Sequence, residues 1–130
     1  MERLNLVKIL ITFVVFVILD AVYLTSMKGF FDAQVKSIQG SIIQMNLFAA
    51  VLCYISLVFG VYYFIIKDNR SLVDAFLLGL VIYSVYELTN WSLFKAWKPA
   101  TVVMDSLWGA TLFTLTTAIV YFIYGKANKV

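Results

Sequence analysis

The chain reads as an all-α, polytopic membrane protein: a compact bundle of four transmembrane helices occupying residues 1–130 as a single membrane domain. Two observations predict this. First, 63% of the 130 residues are hydrophobic and 13% are charged, about half the roughly 25% charged content of soluble domains, and the mean hydropathy is +0.95. Second, the apolar residues fall into four runs, at about 4–27, 42–66, 72–94 and 100–124. Each is long enough, at about 1.5 Å per residue, to cross a hydrocarbon core about 30 Å thick.

The first run has a positive start like a signal peptide, but it is long, contains Asp20 and lacks a small-x-small cleavage site, so it is expected to be retained as a helix. The segment KGFFDAQVKSIQGS that follows it carries Gly29, Gly40 and three charges and reads as a connection. The second run ends at the tight polar turn KDNR, residues 67–70. The third opens with Ser71-x-x-Asp74, a capping box at a helix start. The fourth follows KAWKPAT, whose Pro99 suits the first turn of a helix.

Charge supplies an orientation. Arg3, Lys8, Lys67, Arg70, Lys126 and Lys129 fall on the side of the termini, against Lys28, Lys36, Lys95 and Lys98 on the other. Cytoplasmic loops attract Lys and Arg, so both termini are expected in the cytoplasm, with a narrow bias that leaves dual topology open. The net charge of +3 is scattered instead of blocked, which suits lipid headgroups and not nucleic acid. With no histidine and one cysteine, Cys53, the chain has no His-ligated zinc or haem, no Ser/His or Cys/His catalytic unit and no intrachain disulfide. No cofactor is expected, and nothing requires an enzyme.

The functional signal lies in polar residues inside the spans. Counted along alternately directed helices, Asp20, Asn46, Glu87 and Asp105 reach one layer, in the half of the membrane away from the termini. Helical spacing puts Tyr83, Tyr86, Glu87 and Asn90 on one face of the third helix. On the others it groups Asp105 with Trp108 and Gly109, Asp20 with Phe16 and Tyr23, and Asn46 with Ala50 and Cys53. An acidic residue at mid-membrane costs about 2.5–3.5 kcal/mol on insertion scales, so three carboxylates are expected to converge away from lipid. Such a pocket would hold a proton, a small cation or a lipid-like ligand; no metal ligand set is defined.

Each residue also has a plainer reading. Asp105 could favour the N-terminal end of its helix, Asp20 could be solvated at the interface, and Glu87 could serve an interhelical hydrogen bond. Trp91, Trp97, Tyr83 and Tyr86 read as an interfacial aromatic belt, with Trp108 the exception. Gly60, Gly79 and Gly109 read as close-packing positions, and Cys53 as a small buried side chain.

Tyr86-Glu87-Leu88-Thr89-Asn90, Trp97 with Pro99 close behind, Asp105-Ser106-Leu107-Trp108-Gly109 and the early Asp20-Ala21-Val22-Tyr23 together resemble the domain of unknown function 2177 family. Its pattern is an early Asp followed by an aromatic, then Tyr-Asp-x-Thr-Asn, Trp-Pro and Asp-x-x-Trp-Gly. The chain departs from it in having Glu87 for Asp, Tyr23 for Trp, and Lys98 between Trp97 and Pro99. The resemblance implies a small multi-pass membrane protein without an assigned activity, and it groups Asp20, Glu87, Thr89, Asn90, Asp105 and Trp108 as site residues.

Three functions compete. The first is a binding or transport protein using Glu87, Asp105 and Asp20, with Tyr86 and Trp108 offering cation–π contacts. It has an analogy in the small multidrug resistance transporters, whose essential glutamate lies on the first helix instead of the third. The second is a structural or accessory subunit whose polar residues specify packing. The third is an intramembrane lipid- or sterol-modifying enzyme using carboxylate acid/base chemistry. Four short helices enclose little volume, which makes a homodimer one expected assembly.

Overall fold

The computed structural model describes residues 5–125, and among them the secondary structure is entirely helical. The helices are α1 (Leu6–Ser26), α2 (Lys28–Gln39), α3 (Leu47–Val61, continued by a π-turn over Tyr62–Ile66), α4 (Leu72–Leu93) and α5 (Pro99–Tyr124). Four of them, counting α3 with its π-turn, are long and apolar enough to span a membrane. Their outward faces present large aliphatic and aromatic side chains to the lipid, so the chain is an integral, multi-pass membrane protein in contact with the bilayer.

Two boundaries differ from the sequence expectation. Residues 28–39, expected as a connection, form α2, ended by Gly40 in the left-handed conformation at φ +82°. Residues 42–46, expected inside the second span, are not helical, because Asn46 caps α3 by accepting a hydrogen bond from Ala49 N at 3.1 Å. The Ser71 side chain accepts from Asp74 N at 3.1 Å, as the capping pattern requires, and Pro99 opens α5.

Helix α5 is the centre of the bundle. Eleven of its residues are buried, against four on α1 and three each on α3 and α4, and it packs against α4, α1 and the π-turn. The apolar core joins Phe16, Val58, Val61, Ala75, Leu112 and Phe113, with Phe16 set edge-on to both Tyr54 and Phe113.

The α4–α5 contact is close because two glycines meet there. A Cβ on Gly79 would collide with the Gly109 carbonyl and with Phe113, and one on Gly109 would collide with the Tyr83 ring. Between membrane helices, where apolar burial gives little drive to associate, such small residues let backbones approach and dispersion act. Gly60, expected to do the same, has open space where its Cβ would stand.

At the end bearing the termini, Asn5 caps α1, donating its backbone N–H to Tyr62 Oη at 2.9 Å and its side-chain amide to Tyr124 Oη at 3.0 Å. These bonds tie the ends of α1, α3 and α5 together, and Tyr121 adds a bond to the Arg70 carbonyl at 2.7 Å. At the other end, α2 is fastened by Gln34, which is 1% exposed. Its amide donates to Ala96 O at 3.1 Å, and its carbonyl accepts from Lys98 N at 3.0 Å and Thr101 Oγ1 at 2.5 Å. One buried amide thus holds α2 onto the α4–α5 connection. On the outer surface of α2, Lys28 pairs with Asp32 at 2.6 Å, and that bond holds the Asp32 carboxyl below its ordinary range.

Candidate functional site

The four spans do bring polar groups to one layer. Asp20, Tyr54, Glu87 and Asp105 lie roughly 9–11 Å from the α2-side ends of their helices, and Trp108 roughly 14 Å, at about 1.5 Å per residue. Asp20, Glu87 and Asp105 are all buried, Glu87 to 1% exposure.

Asp20, on the inner face of α1, has both oxygens occupied. Tyr54 Oη donates to Oδ2 at 2.5 Å from α3, and Trp108 Nε1 donates to Oδ1 at 2.9 Å from α5. Three helices are therefore joined through one carboxylate. The Tyr23 ring stacks on the Trp108 indole, with centroids 4.4 Å apart and planes 7° from parallel, and Tyr23 Oη donates to Asp105 Oδ1 at 3.2 Å. On the far side of Asp105, the Glu87 carboxyl lies close enough to interact with it electrostatically, and Trp97 Nε1 donates to Glu87 Oε1 at 2.9 Å. The result is a chain of groups across the bundle: Tyr54, Asp20, Trp108 stacked on Tyr23, Asp105, Glu87 and Trp97.

Glu87 and Asp105 face each other because α4 and α5 approach so closely at Gly79 and Gly109. Two carboxyls in contact form a hydrogen bond only if one of them carries a proton, or else they need a cation between them. The ion pairs among the described residues, Lys28–Asp32, Lys67–Asp68 and Arg70–Asp74, all lie outside this layer. Among the described residues, no three His, Cys, Asp or Glu side chains cluster closely enough to hold a metal ion.

Several expected participants lie elsewhere. Asn46 does not join the layer: it caps α3 at an exposed position, with its side-chain oxygen engaged by Ala49 N. Tyr54, two turns further along α3, takes the place expected of it. Thr89 is exposed and bonds back to Val85 O at 2.6 Å. Tyr86 is 57% exposed, with its hydroxyl beside the Asn90 side chain, and it makes no hydrogen bond to Asp20, Glu87 or Asp105 among those of the described residues. Cys53, expected to be buried, is exposed. Trp97, expected in an interfacial belt, is instead buried on Glu87, whereas Trp91 is 46% exposed and conforms.

A family model described as a predicted membrane protein, DUF2177, matches residues 5–122. The chain belongs to the DUF2177 family. The match takes in α1 to α4 and all but the last two residues of α5, so α2, the Gln34 fastening and the carboxyl layer all lie inside the DUF2177 region. The motif residues of this DUF2177 protein divide on structural grounds: Asp20, Glu87, Trp97, Asp105 and Trp108 meet in one network, whereas Thr89 and Asn90 lie beside it. No curated protein and no solved structure matches the chain.

Proposed function

We propose that this protein is a small membrane binding or transport protein whose working site is the Glu87–Asp105 pair, holding one proton that a cationic ligand displaces. The observation that carries the reading is the pairing of two buried, mutually interacting carboxyls, with none of the ion pairs of the described residues in their layer. Like charges side by side in a low dielectric cannot both ionise cheaply, and one shared proton or one bound cation relieves the repulsion.

The titratable groups around the pair are Tyr23 and Asp20 on α1, Cys53 and Tyr54 on α3, and Tyr83 and Tyr86 on α4, besides Trp97 as a donor to Glu87. Asp20 belongs to the supporting frame, since Tyr54 and Trp108 occupy both its oxygens. A purely structural reading draws on the same hydrogen bonds, because the network joins α1, α3, α4 and α5. It does not account for paired carboxyls, since an amide at either position would link the helices without a titrating group. With both termini in the cytoplasm, as the charge bias favours, the pair lies in the outer half of the membrane.

The test is infrared spectroscopy of the protein in liposomes. A protonated carboxyl band at neutral pH, removed by either Glu87→Gln or Asp105→Asn and diminished on adding an organic ammonium ion, is the expected result. Absence of any such band in the wild type would overturn the proposal.

A further inference from the structure

We infer that the cleft between α3 and α4 is a lateral binding site for a cationic amphiphile, an alkyl- or arylammonium ion that reaches Asp105 from the bilayer. The cavity measures about 350 Å³ and is lined by Cys53 and Leu57 of α3, Ile82, Tyr83 and Tyr86 of α4, and Asp105 of α5. That lies at the small end of the roughly 300–1,000 Å³ of ligand pockets, room enough for a head and the first part of a tail.

Three features give the site its direction. Helices α3 and α4 scarcely touch, in contrast with the close α4–α5 seam, so the cleft is an opening in the side of the bundle. The residues at its mouth, Cys53 and Tyr86, are exposed at a depth where exposure means lipid. Toward the α2 end of the bundle, Trp97 is bonded to Glu87 and Gln34 ties the Ala96–Thr101 connection to α2, so these groups stand between the pair and that end. A ligand therefore meets the carboxyl from the membrane and not from the water.

The lining selects the chemistry. Leu57 and Ile82 offer apolar walls, Tyr83 and Tyr86 add aromatic rings of the kind that attract a cation, and Asp105 stands as the acid lining the cleft. A neutral lipid would satisfy the walls and leave the acid unused.

This inference rests on the proposed proton-holding pair. An R–NH3+ ion enters as one H+ leaves Glu87 or Asp105 for water, no covalent bond to carbon is made or broken, and the net charge of the occupied site stays at −1. The exchange therefore moves a cation against a proton without adding charge to the bundle.

Cys53 is the sole cysteine of the chain and sits at the mouth, so it reports occupancy directly. The full-length protein in phosphatidylcholine liposomes is labelled with N-ethylmaleimide in the presence of dodecylammonium or, at equal membrane content, dodecanol. Dodecylammonium is expected to slow labelling saturably, about tenfold at about ten times its apparent Kd, with dodecanol much weaker. Asp105→Asn, with rates normalised to the variant's own unprotected rate, is expected to remove the difference between the two. Should that variant misfold, Tyr86→Leu is expected to reduce it. Equal protection by amine and alcohol, or protection by the amine that survives both substitutions, overturns the inference. An infrared carboxyl band without selective protection rejects the lateral ammonium site and leaves the pair standing; absence of the band rejects the pair first.

Discussion

Replacing Glu87 by Gln tests the central arrangement most sharply, because glutamine is an isostere of the protonated acid. Its side-chain carbonyl can still accept from Trp97 Nε1, which donates at 2.9 Å in the wild type, and its amide N–H can donate to Asp105 as the proposed shared proton would. Both contacts survive, so Glu87→Gln is expected to change stability by less than about 1 kcal/mol, the scale of a single interhelical hydrogen bond in a membrane protein. Glu87→Ala removes both contacts and leaves a void at a position 1% exposed, for which roughly 2–4 kcal/mol is expected. The assay is reversible unfolding in bicelles by added dodecyl sulfate, followed by tryptophan fluorescence, with Trp97 as the reporter beside the mutated site. Near-neutral stability of Glu87→Gln, together with loss of its infrared carboxyl band, is the outcome the shared proton requires. If Gln destabilised the protein as much as Ala, the reasoning would be refuted, since Glu87 would then be needed as an anion.

The two glycines of the α4–α5 seam should behave unlike the one that faces open space. Gly109→Ala, which drives a methyl into Tyr83, is expected to cost about 1–3 kcal/mol in the same unfolding assay, whereas Gly60→Ala should be neutral or stabilising by up to about 1 kcal/mol. Gln34→Ala strands the Lys98 N–H and the Thr101 hydroxyl and is expected to cost about 1–3 kcal/mol. Amide exchange should then rise in residues 94–98 while the α5 core stays protected; uniform loss of protection would show that Gln34 supports the whole bundle. Reporter fusions at the C-terminus are expected to score as cytoplasmic, and converting Lys67 and Arg70 together to Gln should erode that preference because the charge bias is narrow; a periplasmic or extracellular score for the wild type would reverse the orientation.

Much of the site was legible in the sequence because membrane burial makes ionisable residues conspicuous. Asp20, Glu87 and Asp105 stood out against four apolar runs, and counting along alternately directed helices put them at one depth, where the structure also has them. Tyr54 lies on the same helical face as the residues expected there, since Asn46, Ala50 and Tyr54 continue at i, i+4 and i+8, though a phenol among apolar residues is less conspicuous than an amide near a helix start. Asn46 caps α3 instead of joining the layer: a polar residue at a span boundary serves equally as a cap, and sequence distance from the helix end does not separate the two. Composition alone places Trp97 in the interfacial belt, since nothing local shows that the connection after α4 folds its indole back onto a residue ten positions earlier.

The sequence by itself determined the number of spans, their approximate limits, and the presence of acids too costly to leave facing lipid, because those follow from bilayer thickness and the energetics of transfer. Tertiary structure alone decided which acid touches which. Glu87 meets Asp105 because Gly79 and Gly109 let two backbones close up, while Asp20 is drawn off to Tyr54 and Trp108. It also decided that α2 is fastened to the α4–α5 connection and that α3 and α4 stand apart. Those are matters of which helix packs against which, and hydropathy along a single helix carries no information about its neighbour.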